Sequence, residues 1–188
     1  MVCGRIEDVC DCQSKVLKIE TIYVVDIKGA TGQGGIEFWD SEPEYKSVRL
    51  NNPNLTSVES VAFEENAFKI KKGTFAKQCE CVLYPEGSGD GSWTLFIEMK
   101  YADNEHNIHR ESWHEKAVEQ IRSTVGFLKQ KGVLSDGKKL NAIVSFPKLD
   151  TFSSWLTQYI SNALRQDGII ARCTNKATIV NGEILILG

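Results

Sequence analysis

The stretch Trp93-Thr94-Leu95-Phe96-Ile97-Glu98-Met99-Lys100 sets two ionisable side chains at the end of an otherwise apolar run. Strand alternation puts Leu95, Ile97 and Met99 on one face and Phe96, Glu98 and Lys100 on the other. A buried charge is costly unless it is paired or bound to a metal. Glu98 beside Lys100, on a strand that looks central, therefore asks for either chemistry or a plain ion pair. A Glu–Lys pair on the open side of a hairpin would leave the same tripeptide.

Working outward, residues 78–84 form a second strand candidate, joined to 93–101 by Pro85-Glu86-Gly87-Ser88-Gly89-Asp90-Gly91-Ser92, a loop by composition. An antiparallel hairpin is expected, and if Glu80 lies opposite Glu98 its turn centres on Gly89. Residues 67–72 supply a third strand, completing a meander. Upstream, Thr56-Ser57-Val58-Glu59 has the form of a capping box and predicts a short helix over 56–66, with a strand through 61–63 as the alternative. Downstream, Trp113, Ala117, Val118, Ile121, Val125 and Leu128 form a helical stripe over 111–131, ended by Gly132. A strand over 140–146, almost wholly apolar, a helix over 152–166 and strands over 169–173 and 183–187 follow. Before residue 55, strands over 16–28 and 35–40 flank the turn-forming 29–34, and no chemistry is assigned to them.

The chain has 188 residues, 41% hydrophobic and 25% charged, which suits one globular domain with a sizeable core. No window is apolar enough to span a membrane, and Met1-Val2-Cys3-Gly4-Arg5 lacks the apolar core of a signal peptide, so a cytoplasmic protein is expected. Six cysteines are too few for a disulfide scaffold and are expected as free thiols or metal ligands. The net charge of −3 excludes a global field that draws nucleic acid. Residues 1–60 hold 6 Lys/Arg against 10 Asp/Glu, and residues 61–188 hold 16 against 15, so any such contact must be local.

The order helix, three-strand meander, helix, strand, with Glu-x-Lys closing the third strand of the meander, resembles the PD-(D/E)xK nuclease superfamily over roughly residues 56–147. The resemblance implies an α/β (α+β) fold with a restriction-endonuclease-like mixed central sheet flanked by helices. Residues 56–188 would be the nuclease-like core and 1–55 a strand-rich N-terminal extension. It implies hydrolysis of phosphodiesters in DNA, rather than RNA, by an endonuclease or exonuclease dependent on Mg²⁺ or Mn²⁺. Glu80, Glu98 and Lys100 are the implied catalytic residues, and Glu80, Glu98 and the Met99 carbonyl the implied metal ligands. The superfamily usually has Asp where Glu80 stands. Asp90, eight residues before Glu98 and in the loop, is the weaker alternative. Members often add an acid from the first helix, and Glu59, Glu64 and Glu65 are the sources here. A homodimer is compatible with the resemblance. A non-catalytic nuclease-fold binding or protein-interaction module is the alternative function.

Other residues admit two readings. His106, His109 and His114 suit zinc by residue type, or a polar loop entering a helix. Cys10-x-Cys12 and Cys79-x-Cys81 suit a four-thiolate site, or ordinary small core residues, with Cys79 and Cys81 both turned away from Glu80. Gly29-Ala30-Thr31-Gly32-Gln33-Gly34-Gly35 lacks the Lys-Ser/Thr of a phosphate loop and reads as a hairpin turn.

Overall fold

The run from Trp93 becomes a strand buried along its whole length because it is covered on both faces. The computed structural model describes residues 5–188. Its elements are, in order, β1 (Cys12–Leu17), β2 (Thr21–Asp26), α1 (Ile27–Thr31), β3 (Ile36–Trp39), β4 (Val48–Asn51), β5 (Val58–Phe63), β6 (Lys69–Lys71), β7 (Thr74–Phe75), β8 (Cys81–Pro85) and β9 (Trp93–Met99). Then come α2 (Glu105–Arg110), α3 (Trp113–Gln130), β10 (Lys139–Ser145), α4 (Ser154–Arg165), β11 (Ile169–Cys173), β12 (Lys176–Ile179) and β13 (Leu185–Leu187).

A mixed six-stranded sheet has the order β1-β5-β8-β9-β10-β11, antiparallel up to β9 and parallel from β9 to β11. The three layers follow from the alternation along β9. Phe96 joins Val61, Val82, Ile121, Leu128 and Leu156 in a core beneath α3 and α4. Leu95, Ile97 and Met99 join Ile22, Leu50 and Ile179 in a second core, beneath a five-stranded sheet of order β13-β12-β4-β2-β3. Each such side chain, fully withdrawn from water, contributes about 2 kcal/mol before chain entropy is charged against it. Among the described residues, no helix is long and apolar enough to cross a membrane.

The chain is thus a mixed α/β protein, and several expectations about its parts hold. The strand expected over 140–146 lies next to β9 in the same sheet, and the helix expected over 111–131 packs across that sheet as α3. Others need correction. Residues 58–63 form the strand β5, not a helix, because Val61 and Phe63 are needed in one core while Val58 and Ala62 are needed in the other. Burial on two faces selects period two over the capping box. β5, β8 and β9 therefore make up the meander. The strand expected over 67–72 shrinks to Lys69–Lys71, paired only with Thr74–Phe75 in an exposed hairpin where Ile70 is 63% exposed.

Residues 16–28 break at Lys18-Ile19-Glu20 into β1, on the edge of the large sheet, and β2, in the small one. Strands on both sides of residue 55 share each sheet, with β1 paired to β5 and β4 paired to β12. The turn expected after β2 contains one helical turn, α1, capped by Asp26 and closed by Gly32 in the left-handed region (φ 83°).

Candidate functional site

The carboxyl end of β9 places Glu98 and Lys100 on the face that α3 covers. In the β8–β9 register Cys81 pairs with Ile97 and Leu83 with Leu95, so the turn centres on Gly89. The Glu80 N–H donates to Ile97 O at 3.1 Å, one residue off that register, so the ladder shifts just before β8, and Glu80 stays close enough to act on the charge of Glu98. Lys100 Nζ stands 2.5 Å from Glu98 Oε1 and donates to Gln120 Oε1 of α3 at 2.6 Å. Gln120 Nε2 in turn donates to Gln78 O at 2.8 Å, and the Cys79 N–H donates to Thr124 Oγ1 at 2.8 Å. α3 thereby fixes both the ammonium group and the chain segment that carries Glu80.

Burial dominates the electrostatics. Glu98 is 0% exposed, and loss of water pushes its pKa up to about 8, against the pull of the Lys100 charge and with a further push from Glu80. Glu80 is pushed up to about 7 by burial first and by Asp26 next, with Lys100 and Lys28 opposing. Lys100 and the Glu80 backbone N–H both favour the charged form of Glu98, but neither carboxyl oxygen accepts a hydrogen bond of ordinary geometry among the described residues. Buried polar atoms are nearly always satisfied, and a carboxylate left in this state points to an absent ligand or to strain kept for function.

Asp26 belongs to the same electrostatic group, and the sequence reading assigned it nothing. It is buried, its carboxyl is raised by loss of water, and it adds to the field at Glu80 and at Tyr101, whose hydroxyl burial pushes up to about 12. Asp26 Oδ1 accepts from the Gly29 N–H at 2.7 Å, and the Tyr101 hydroxyl donates to Asp26 O at 3.1 Å. A Cβ on Gly29 would stand 2.2 Å from Asp26 Oδ2 and 2.4 Å from the Tyr101 ring, so only glycine allows this approach. The local signal was an Asp three residues before a glycine, the pattern of a helix N-cap. Nothing in the sequence tied that cap to the end of β9.

The remaining candidates lie elsewhere. Glu59 pairs with Tyr84 in the β5–β8 ladder, Glu64 Oε1 accepts from Gln13 Nε2 at 2.6 Å, and Glu65 pairs with Lys28 at 3.1 Å. None of the three contributes to the field at Glu98 or Glu80. Asp90 accepts from Ser135 Oγ at 2.6 Å at the far end of the hairpin. Met99 is paired to Ser145 in the ladder, with its side chain in the opposite core. Cys79 lies in the core beneath α3 and Cys81 in the other, so the two do not both turn away from Glu80: Cys79 precedes β8 and escapes its alternation. Among the described residues no group of three or more His, Cys, Asp or Glu is arranged to hold a metal ion. Set beside protein-family models, curated proteins and solved structures, the chain matches none of them.

Proposed function

We propose that this protein is a metal-dependent phosphodiesterase of PD-(D/E)xK type acting on DNA, with a restriction-endonuclease-like core. One observation carries the reading: Glu80 and Lys100 both act on the charge of Glu98, a carboxyl wholly withdrawn from water and paired with Lys100. Two carboxylates with free lone pairs suit a hard, oxygen-seeking ion that keeps several waters, so Glu80, Glu98 and the Met99 carbonyl are the groups to hold Mg²⁺ or Mn²⁺. Such an ion, when bound, supplies polarisation of a phosphoryl oxygen and a more acidic water. Lys100, already oriented by Gln120, neutralises charge that develops on the phosphate. Glu98, wholly buried, would give up its proton on binding such an ion, whereas Glu80 is only half-buried and keeps contact with solvent.

The core departs from the superfamily pattern in three ways. Glu80 replaces Asp, the element directly before the meander is the strand β4 with β1 pairing outside β5, and a second sheet covers the other face. A second reading, a nuclease-fold binding module without catalysis, is favoured by the complete burial of Glu98 and by the engagement of Lys100 with Gln120. The deciding experiment is cleavage of plasmid and of single-stranded DNA under Mg²⁺ or Mn²⁺, beside Glu98→Ala. Metal-dependent cleavage that Glu98→Ala removes supports the enzyme. No cleavage by the parent, or cleavage unchanged in the variant, rejects it.

A further inference from the structure

A second cluster stands at the same edge of the sheet as Glu98 and Lys100. β9 and β10 run parallel, so their carboxyl ends emerge together, with α2 following the first and α4 coming after the second. The two connecting loops are tied by Lys148 Nζ to Asp103 Oδ1 at 2.9 Å. Here His109 of α2 stacks on Trp155 of α4, with ring centroids 4.1 Å apart and planes 20° from parallel. His114, in the first turn of α3, meets Trp155 edge-on at 5.4 Å and Tyr159 at 4.7 Å.

The exposure of these rings is not that of a core. Trp155 is half-buried, but His109, with one face on Trp155, is exposed and Tyr159 is 40% exposed, so part of the cluster stays open to solvent. His114 Nδ1 is buried without a hydrogen-bond partner among the described residues. His106 and His109 lie on α2 and His114 on α3, and they form no metal-holding group with any third ligand among the described residues. What the cluster offers is stacking faces. Every nucleobase has a π-face to stack, whereas a duplex shows only base edges in its grooves. Ligands of open α/β sheets also sit beyond the carboxyl ends of the strands, which is where this cluster lies.

We infer that His109, Trp155 and Tyr159 form a stacking platform for an unpaired base of single-stranded DNA, leading the strand toward Glu80, Glu98 and Lys100; the choice of ligand rests on the nuclease reading. The test is fluorescence anisotropy in EDTA, where no cleavage occurs, with labelled oligothymidylate of about twenty nucleotides and a duplex of the same length. His109→Ala and Tyr159→Ala should each weaken oligothymidylate binding ~10-fold, Tyr159→Phe should keep it, and duplex binding should change less than ~2-fold. Variants that bind as the parent does, equal losses on both DNAs, or a parent that does not bind oligothymidylate would overturn the platform. Mn²⁺-dependent cleavage is scored separately on the same proteins. A parent that cleaves, with platform variants unchanged in binding, defeats the platform alone. A parent that binds through the platform and cleaves nothing defeats the nuclease reading alone.

Discussion

Two ends of one sheet face carry similar side chains and differ in what surrounds them. At the carboxyl end of β9, Glu80, Glu98 and Lys100 lie under α3, and both oxygens of Glu98 lack a hydrogen bond of ordinary geometry. Past the C-terminus of α3, a cleft of about 610 Å³ is lined by Arg5, Glu59, Tyr84, Thr94 and Lys138, among others. Polar groups around the cleft have partners of ordinary geometry: Lys138 donates to Ser88 O at 2.9 Å and Ser92 Oγ at 2.7 Å, and Glu86 accepts from Ser57 at 2.6 Å. Volume and chemical need thus fall at opposite ends. A ligand placed by volume alone would go to the cleft. The poorly compensated carboxyl of Glu98 marks the other end, where a ligand would relieve an existing cost.

The largest expected contrast between the two ends is in activity. Lys100→Met should lower cleavage at least ~10²-fold, the loss typical of one preorganised electrostatic group, while Glu59→Gln in the cleft should leave cleavage as it is. The melt of Lys100→Met at neutral pH should stay close to the parent, because burial holds Glu98 protonated up to about 8. A loss of about 3–5 kcal/mol would mean that a charged Glu98 had been stranded. Equal activity losses at both ends would erase the distinction.

Next in size is the response of stability to pH. Folded Glu98 titrates near 8 and folded Glu80 near 7, both above the ordinary 4.5, so between these values the folded state holds more protons than the unfolded one. The stability these two groups contribute is fully present below about 4.5 and is lost as pH rises through 7 to 8. Urea midpoints measured in EDTA should fall over that window, and Glu98→Gln should flatten the fall. A midpoint that climbs with pH there, and climbs equally in the variant, would place the buried proton elsewhere.

Smaller again is Gly29→Ala, which pushes a methyl group against Asp26 and Tyr101 and should cost about 1–3 kcal/mol in urea unfolding. Gly35→Ala, with open space around the new Cβ and no positive φ, should change it by less than about 0.5 kcal/mol. Equal values would mean that α1 is not clamped to the end of β9. Smallest is Glu59→Gln, whose melt should stay within about 0.5 kcal/mol of the parent, because a half-buried side chain lining an open cleft keeps access to water.

Much of this contrast could be read before any coordinates. The alternation through Trp93–Met99 placed Glu98 and Lys100 on one face, Gly89 centred the turn between β8 and β9, and the stripe from Trp113 to Leu128 marked the helix above them. Local pattern failed where tertiary context outweighed it. Thr56-Ser57-Val58-Glu59 satisfies a capping box, but two cores compete for the segment and turn it into β5. Val48–Asn51 and Lys176–Ile179 are too short to announce themselves as strands, and each is stabilised by pairing with the other across most of the chain. Asp26 was invisible as a site residue because its neighbours Glu80 and Tyr101 are distant in sequence.

Calorimetric titration of Mn²⁺ into the parent and into Glu98→Gln tests the central assignment most directly, since it asks whether the Glu98 oxygens are ligands. The expected result is binding by the parent that the variant abolishes, because a site with so few protein oxygens cannot lose an anionic one and still offset dehydration of the ion. Binding of equal strength in both proteins, or no binding by a folded parent, would contradict it.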